Sequence, residues 1–327
     1  MHFYRPLLLL ATLLAFGVVA LGAYVRLSDA GLGCPDWPGC YGQWVGVPQQ
    51  AHEQAAALDA FPGRPVEAHK AWKEMVHRYF AGSLGLLIVG VTGLAWRFRR
   101  ELHQSPLLPG ALLCVIGGQA LLGMWTVTLL LKPVIVSAHL LGGMTTMALL
   151  LWLLLRQTAT DETAASGALR VTGVITLLAI GGQIALGGWV STNYAALACP
   201  DFPTCQGAWL PPMDFEHAFQ LRRELGQTAT GALLSHAALT AIHWTHRVGA
   251  LLVLLVAGSL TLMLLRRPPW RRWGLFLALA LAAQISLGVA NVVLSLPLPL
   301  AVAHNSGAAL LLAVTLALNF RLWRAPR

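Results

Sequence analysis

Long apolar runs alternate with short polar breaks along the whole chain. Eight runs reach the roughly 20 residues that a helix needs to cross a bilayer: Leu7–Val25, Met75–Trp96, Leu108–Leu130, Val134–Leu155, Val171–Val190, Ile242–Leu265, Trp273–Leu294 and Leu300–Asn319. The first run is too long for the core of a signal peptide, and no small-x-small cleavage pattern precedes Arg26, so it is read as a span. Composition agrees. Hydrophobic residues make up 57% and charged residues 11% of the chain, against about 25% charged in soluble domains. The pattern therefore predicts an all-α polytopic membrane protein.

The few charges are sorted by side. With both termini cytoplasmic, the inner segments hold Arg5, Arg97, Arg99, Arg100, Arg156, Arg170, Arg266, Arg267, Arg271, Arg272, Arg321, Arg324 and Arg327, with Glu101, Asp161 and Glu162 as their acids. The outer segments carry Asp29, Asp36, Glu53, Asp59, Glu67, Asp201, Asp214, Glu216 and Glu224. Positive charge on short cytoplasmic loops sets orientation, and the expected location is a bacterial inner membrane. The net charge of +9 is thus a topology signal. Its basic residues are split among separate loops, which argues against nucleic acid as a partner.

The chain also repeats itself. Cys34-Pro35-Asp36-Trp37-Pro38-Gly39-Cys40 returns as Cys199-Pro200-Asp201-Phe202-Pro203-Thr204-Cys205, 165 residues later. Gln119, Gly123 and His139 return as Gln284, Gly288 and His304 with the same shift. His77-Arg78 returns as His246-Arg247 with a shift of 169, so the second half's large outer loop is four residues longer. Each half has four spans running in the same direction. This predicts two tandem, parallel four-helix bundles, residues 1–160 and 161–327, joined by a small polar linker over Gln157–Gly167.

On this topology His77, His139, His246 and His304 sit one per even-numbered span, at similar depth near the outer face. An ionisable side chain in a span is costly and usually functional. A histidine bonded to a neighbouring helix is the plain alternative. Duplication in register favours two imidazoles per half as axial ligands of a haem iron over one converging zinc site. Gly142, Gly143, Gly249 and Gly307 would leave room for a flat ring, or simply allow close helix packing. Glu74 precedes His77 by three residues, on the same face, where the second half has His243 before His246. Glu74 is read either as a first-turn acid favoured by the helix dipole or as a proton-handling carboxylate beside a haem edge. Arg78, His243 and Arg247 are candidate propionate contacts.

Cys34/Cys40 and Cys199/Cys205 lie in outer loops, where disulfides are permitted. Structural staples are the first reading and redox-active thiols the second. Cys114 is read as packing. Trp44, Trp72, Trp209 and Trp244 suit interface anchoring. Phe215–Thr240 is expected to form an amphipathic helix lying on the outer face.

Together these features resemble the haem A synthase family: the Glu74-Met75-Val76-His77-Arg78 run, the Cys34-to-Cys40 loop, His139, the Ile242-to-Arg247 run and His304. The resemblance covers nearly the whole chain. It implies oxidation of the C8 methyl of haem O to a formyl group, giving haem A for terminal oxidases. It implies haem O as substrate between His77 and His139, Glu74 as the essential acid, and haem B as cofactor between His246 and His304. It also implies a Cys34–Cys40 disulfide. A second pair, Cys199–Cys205, is not universal in the family. A haem O synthase and cytochrome oxidase assembly factors are the partners it implies, and a homo-oligomer is compatible with it. Two histidines on one iron exclude oxygen from that iron, so the second-half haem suits electron transfer. Lipid-facing gaps between helices would accept the farnesyl tail of haem O. Two rivals fit the same spans: a dihaem electron carrier resembling cytochrome b, and a haem transporter.

Overall fold

The computed structural model describes residues 3–158 and 164–324. Among the described residues it is all-helical, with ten α-helices: α1 Tyr4–Leu27, α2 Ala51–Ala60, α3 Ala68–Arg97, α4 Leu107–Thr128, α5 Pro133–Thr158, α6 Gly167–Thr192, α7 Phe215–Ala218, α8 His236–Leu265, α9 Arg271–Val293 and α10 Leu298–Trp323. All but α2 and α7 are long and apolar enough to cross a membrane. Helices satisfy every backbone group within one segment, which lipid demands. Much of their surface is outward-facing and apolar, including Leu13, Leu86, Leu178 and Leu279. In water such a surface would be an aggregation liability, and in lipid it is the solvent-facing surface. Asp161, Glu162, Arg327, the 160/161 boundary and positions 159–163 of the Gln157–Gly167 linker lie outside the described residues.

Two spans begin six or seven residues earlier than the apolar pattern predicts. α3 starts at Ala68 and α8 at His236, each adding turns that project past the apolar stretch. Glu74 therefore lies in the second turn of α3, and the reading of it as a first-turn acid is corrected. The expected amphipathic helix over Phe215–Thr240 does not form. Before α8 begins at His236, only Phe215–Ala218 is α-helical in this stretch, capped by Asp214, whose side chain accepts from His217 N. The chain then turns through Gly226 and Gly231, both at positive φ, with an antiparallel bridge between Gln227 and Leu233. Ser235 then caps α8 by accepting from Ala238 N at 3.1 Å. Glycines in left-handed conformation and a strong N-cap interrupt a helix whatever its apolar spacing.

The repeat is written in the backbone as well as in the sequence. Non-glycine residues at positive φ recur 165 positions apart: Asp29 and Tyr194, Tyr41 and Gln206, Leu130 and Ser295, Leu131 and Leu296. Such conformations are uncommon for residues with a Cβ, so their recurrence in register marks two copies of one chain path. The same tight turn joins α4 to α5 and α9 to α10. Leu131 N donates to Thr126 O at 2.8 Å, and Leu296 N to Asn291 O at 2.7 Å.

Packing follows the same division. α1, α3, α4 and α5 touch in a closed cycle, as do α6, α8, α9 and α10, and α1 and α5 meet α6 and α10 between the two cycles. Counterpart positions touch one another at this junction. Arg26 donates to Ser191 O at 3.0 Å, and Tyr194 OH donates to Asp29 Oδ1 at 3.2 Å. The Arg26 guanidinium also lies 4.1 Å from the Tyr194 ring centroid.

Candidate haem sites

Each half presents a disulfide-closed loop against the N-terminal end of its second span. Cys34 is bonded to Cys40, and Cys199 to Cys205. Both loops follow one design. The Asp36 carboxylate accepts from Tyr41 N and Gly42 N at 2.6 and 2.8 Å, while Asp201 receives Gln206 N and Gly207 N. The Thr204 hydroxyl beside Asp201, helped by those amides, holds its carboxyl below the usual range. Cys40 and Gln43 exchange backbone bonds across Tyr41 and Gly42, both at positive φ, which is the two-residue hairpin turn that residues tolerant of φ > 0 favour. The peptides Trp37–Pro38 and Phe202–Pro203 are both cis. Gly33 sits so close to α3 that a Cβ would come within 2.6 Å of the Lys70 backbone.

An arginine pins each loop to its helix. Arg78 Nη1 donates to the carbonyl oxygens of Asp36 at 2.9 Å and Pro38 at 3.3 Å, and also to Gly39 O. Arg247 donates to Thr204 O at 2.8 Å and Cys199 O at 2.9 Å. The residue four positions earlier makes the difference between the halves. In the first half Glu74, 4% exposed, accepts from Arg78 Nη2 and from Cys34 N at 3.0 Å. One turn of α8 from Arg247, His243 is also buried, and its Nε2 accepts from Arg247 Nε at 3.2 Å. A carboxylate is thus wired to the first loop and a neutral ring stands in its place in the second. Both arginines and His243, read as propionate contacts, are already engaged with loop or neighbour atoms. Arg247 and His243 also line the cavity described next.

His77 lies three residues beyond Glu74 on α3, and its counterpart His246 on α8. His139 and His304 project from α5 and α10. Each imidazole faces a glycine of a neighbouring helix. A Cβ at Gly22 or Gly187 would stand 3.0 Å from Cε1 of His77 or His246, and one at Gly123 or Gly288 would stand 3.4 or 3.1 Å from Cε1 of His139 or His304. Gly22 and Gly187 escaped the sequence reading, although their 165-residue spacing was there to find. Gly142, Gly249 and Gly307 instead admit the amides of Gln119, Gln183 and Gln284, and Gly143 packs near Val19. The reading of those glycines as room for a flat ring is therefore replaced by room for glutamine.

In the second half the helices enclose a cavity of about 370 Å³ lined by His246 and His304, with Gln183, Gln284, Asn291 and Arg247 at its polar positions. Its remaining wall is mostly apolar and includes Leu27, Leu140 and Met144 of the first half. Nδ1 of His77, His139 and His304 is buried without a hydrogen-bond partner, as are Oε1 of Gln183 and Gln284 and Oδ1 of Asn291. Buried polar atoms are normally satisfied, so the His304, Gln183, Gln284 and Asn291 orphans around this cavity fit a polar guest there, and those of His77 and His139 stand in the first half, away from it. Among the described residues no three His, Cys, Asp or Glu side chains converge as a metal site, so a closed zinc centre has no ligand set. Two imidazoles beside a roomy apolar cavity are the donor set of a haem.

Comparison with known proteins agrees with this geometry. A protein named heme A synthase from Shewanella oneidensis is 43% identical over 316 residues, covering 94% of this chain and 92% of that protein. Proteins of the same name from Caulobacter vibrioides and Shouchella clausii are 28% and 27% identical. They cover 97% and 76% of this chain, and 95% and 78% of their own lengths. The model of one family matches residues 5–316, nearly every residue from which the spans, loops and histidines above are built, and the chain belongs to that family, COX15-CtaA, the cytochrome oxidase assembly proteins.

Proposed function

We propose that this chain converts haem O to haem A, as an oxidoreductase acting on the C8 methyl group of its substrate. The observation that carries this reading is a matched pair of imidazoles in each half, with a buried carboxylate beside only one pair. The name its relatives share supports a synthase over a dihaem electron carrier or a haem transporter.

In this reading residues 1–160 form the substrate half and residues 161–327 the cofactor half, parallel repeats about an axis near the Arg26–Ser191 and Asp29–Tyr194 contacts. His77 and His139 hold haem O, and His246 and His304 hold haem B. The orphaned ring nitrogens and the cavity support that fit. When bound, haem B supplies one-electron chemistry. Oxidising a methyl group to a formyl group adds an oxygen atom, passes electrons from the carbon to an external acceptor and, when water supplies that oxygen, releases protons. Glu74 is placed to take one at Oε1 or Oε2, next to His77 on the same helix face. Arg78 and the Cys34 amide orient that carboxylate. The loop above it covers the outer end of the site and limits water. Arg247 and His243 reach the second-half cavity and would meet propionates there.

The arginine-rich connections favour cytoplasmic termini in a bacterial inner membrane, with both haem sites towards the periplasm. The proposed partners are a haem O synthase upstream and cytochrome oxidase assembly factors downstream. The test is haem extraction from cells expressing Glu74→Ala or His77→Ala protein at parental levels. Haem O accumulates and haem A disappears if the assignment is right; a parental haem A yield refutes it.

A further inference from the structure

Arg26 stands where the two halves meet. It follows Gly22, against which the His77 ring rests, by four residues on α1, and residues four apart share a helix face. Its counterpart in the second half, Ser191, follows Gly187, the seat of His246, by the same interval and lines the second-half cavity. The 165-residue repeat therefore sets an arginine, in the first half, where the second half has a wall residue of its cavity.

That guanidinium is only partly engaged. Nη2 donates to Ser191 O at 3.0 Å and to Thr192 O at 3.5 Å, at the C-terminal end of α6. Nε is buried without a hydrogen-bond partner, and no acid forms an ion pair with Arg26 among the described residues. The other cations near His77 are committed elsewhere. Arg78 holds Glu74 and the loop carbonyls. Lys73 lies over the Tyr24 ring, and its counterpart Ile242 packs in the cluster with Trp189 rather than in the cavity wall. A buried N–H normally finds an acceptor, and a carboxylate is the acceptor that a guanidinium holds most firmly. A haem brings two carboxylates, which are costly to take out of water without a counter-charge.

Resting on the haem-binding reading above, we propose that Arg26 binds a propionate of the first-half haem through Nε while its Nη2 stays on α6. The second half has no cation at the equivalent place: Ser191 offers a hydroxyl, and the arginine that reaches that cavity is Arg247. Arg26 thus makes the first half selective for a haem with free carboxylates, and it ties the binding of that haem to the junction between the halves.

The test titrates haem O and its dimethyl ester, in which both propionates are neutral, into the purified full chain in detergent. The Soret band reports binding, and the second-half haem already present reports folding. The parent is expected to favour the free acid over the ester by at least about 10-fold. Arg26→Gln should reduce that ratio by about 10-fold, and Arg26→Lys, which keeps the charge but has no Nε, by about 3-fold. An unchanged ratio in Arg26→Gln protein overturns the proposal, even where both affinities fall together, because that is what a mere staple between the halves would give. If that variant does not fold, Arg26→Lys decides, and an unchanged ratio there overturns it. A parent that binds both forms alike overturns the carboxylate contact. A parent that binds neither overturns the haem-binding reading itself.

Discussion

Replacing Glu74 separates its structural role from its chemical one. The carboxylate is buried, at 4% exposure. It accepts from Cys34 N at 3.0 Å and from Arg78, which also donates to loop carbonyls at Asp36 and Pro38. Glu74→Ala strands the Cys34 amide and leaves Arg78 without its counter-charge. Breaking one side of a buried pair costs about 3–5 kcal/mol, here lowered by the carbonyls that Arg78 retains. A local cost of about 3 kcal/mol raises the open population of the loop by roughly 100-fold. Glu74→Gln keeps an oxygen for Cys34 N but turns an NH2 donor towards Arg78, losing the charge and that hydrogen bond, so about 2 kcal/mol, or a factor of roughly 30, is expected. The assay is the rate at which dithiothreitol reduces the Cys34–Cys40 bond, read by alkylation and mass. The Cys199–Cys205 bond serves as internal control. The expected order is Ala faster than Gln faster than parent, with both variants making no haem A. Equal reduction rates in all three proteins would show that Glu74 does not hold the loop.

Other consequences are as direct. Gly187→Val places a branched side chain where a Cβ alone would come within 3.0 Å of the His246 ring; haem bound per purified protein should fall to about half, and full occupancy refutes the seat. Asp214 caps α7, and its carboxyl is held below its ordinary 3.8, chiefly by the bond with the His217 ring. A depressed carboxylate stabilises the fold above its unfolded value and loses that contribution as pH falls through the folded one. Protection factors for hydrogen exchange at residues 214–218, corrected for the intrinsic pH dependence, should therefore fall as pH drops below about 3.8; protection insensitive to that drop refutes the role of the cap.

Much of this architecture was legible because lipid imposes few choices. A run of some 20 apolar residues must be helical, so all eight spans appear where the pattern places them, with ends displaced by up to seven residues. The longest displacement is in α3, whose start at Ala68 carries polar turns beyond the apolar stretch and puts Glu74 at the loop. Phe215–Thr240 failed as a helix because apolar spacing says nothing about Gly226 and Gly231 taking left-handed conformations. The glycines beside the histidines were misassigned for a related reason. Sequence shows which residues are small, but which neighbour fills the gap depends on how two helices are rotated against each other.

The linear chain alone determined the spans, the duplication and the histidines that recur in register. Each of these follows from local hydropathy, short-range spacing or a constant offset between copies. Tertiary structure alone decided that Arg78 and Arg247 grip the loops, that Glu74 is bonded to Cys34, and that Gln183 reaches His246. Those relations join residues 40 or more positions apart through side chains only a few ångströms long, and only the packing of one helix on another brings them within reach.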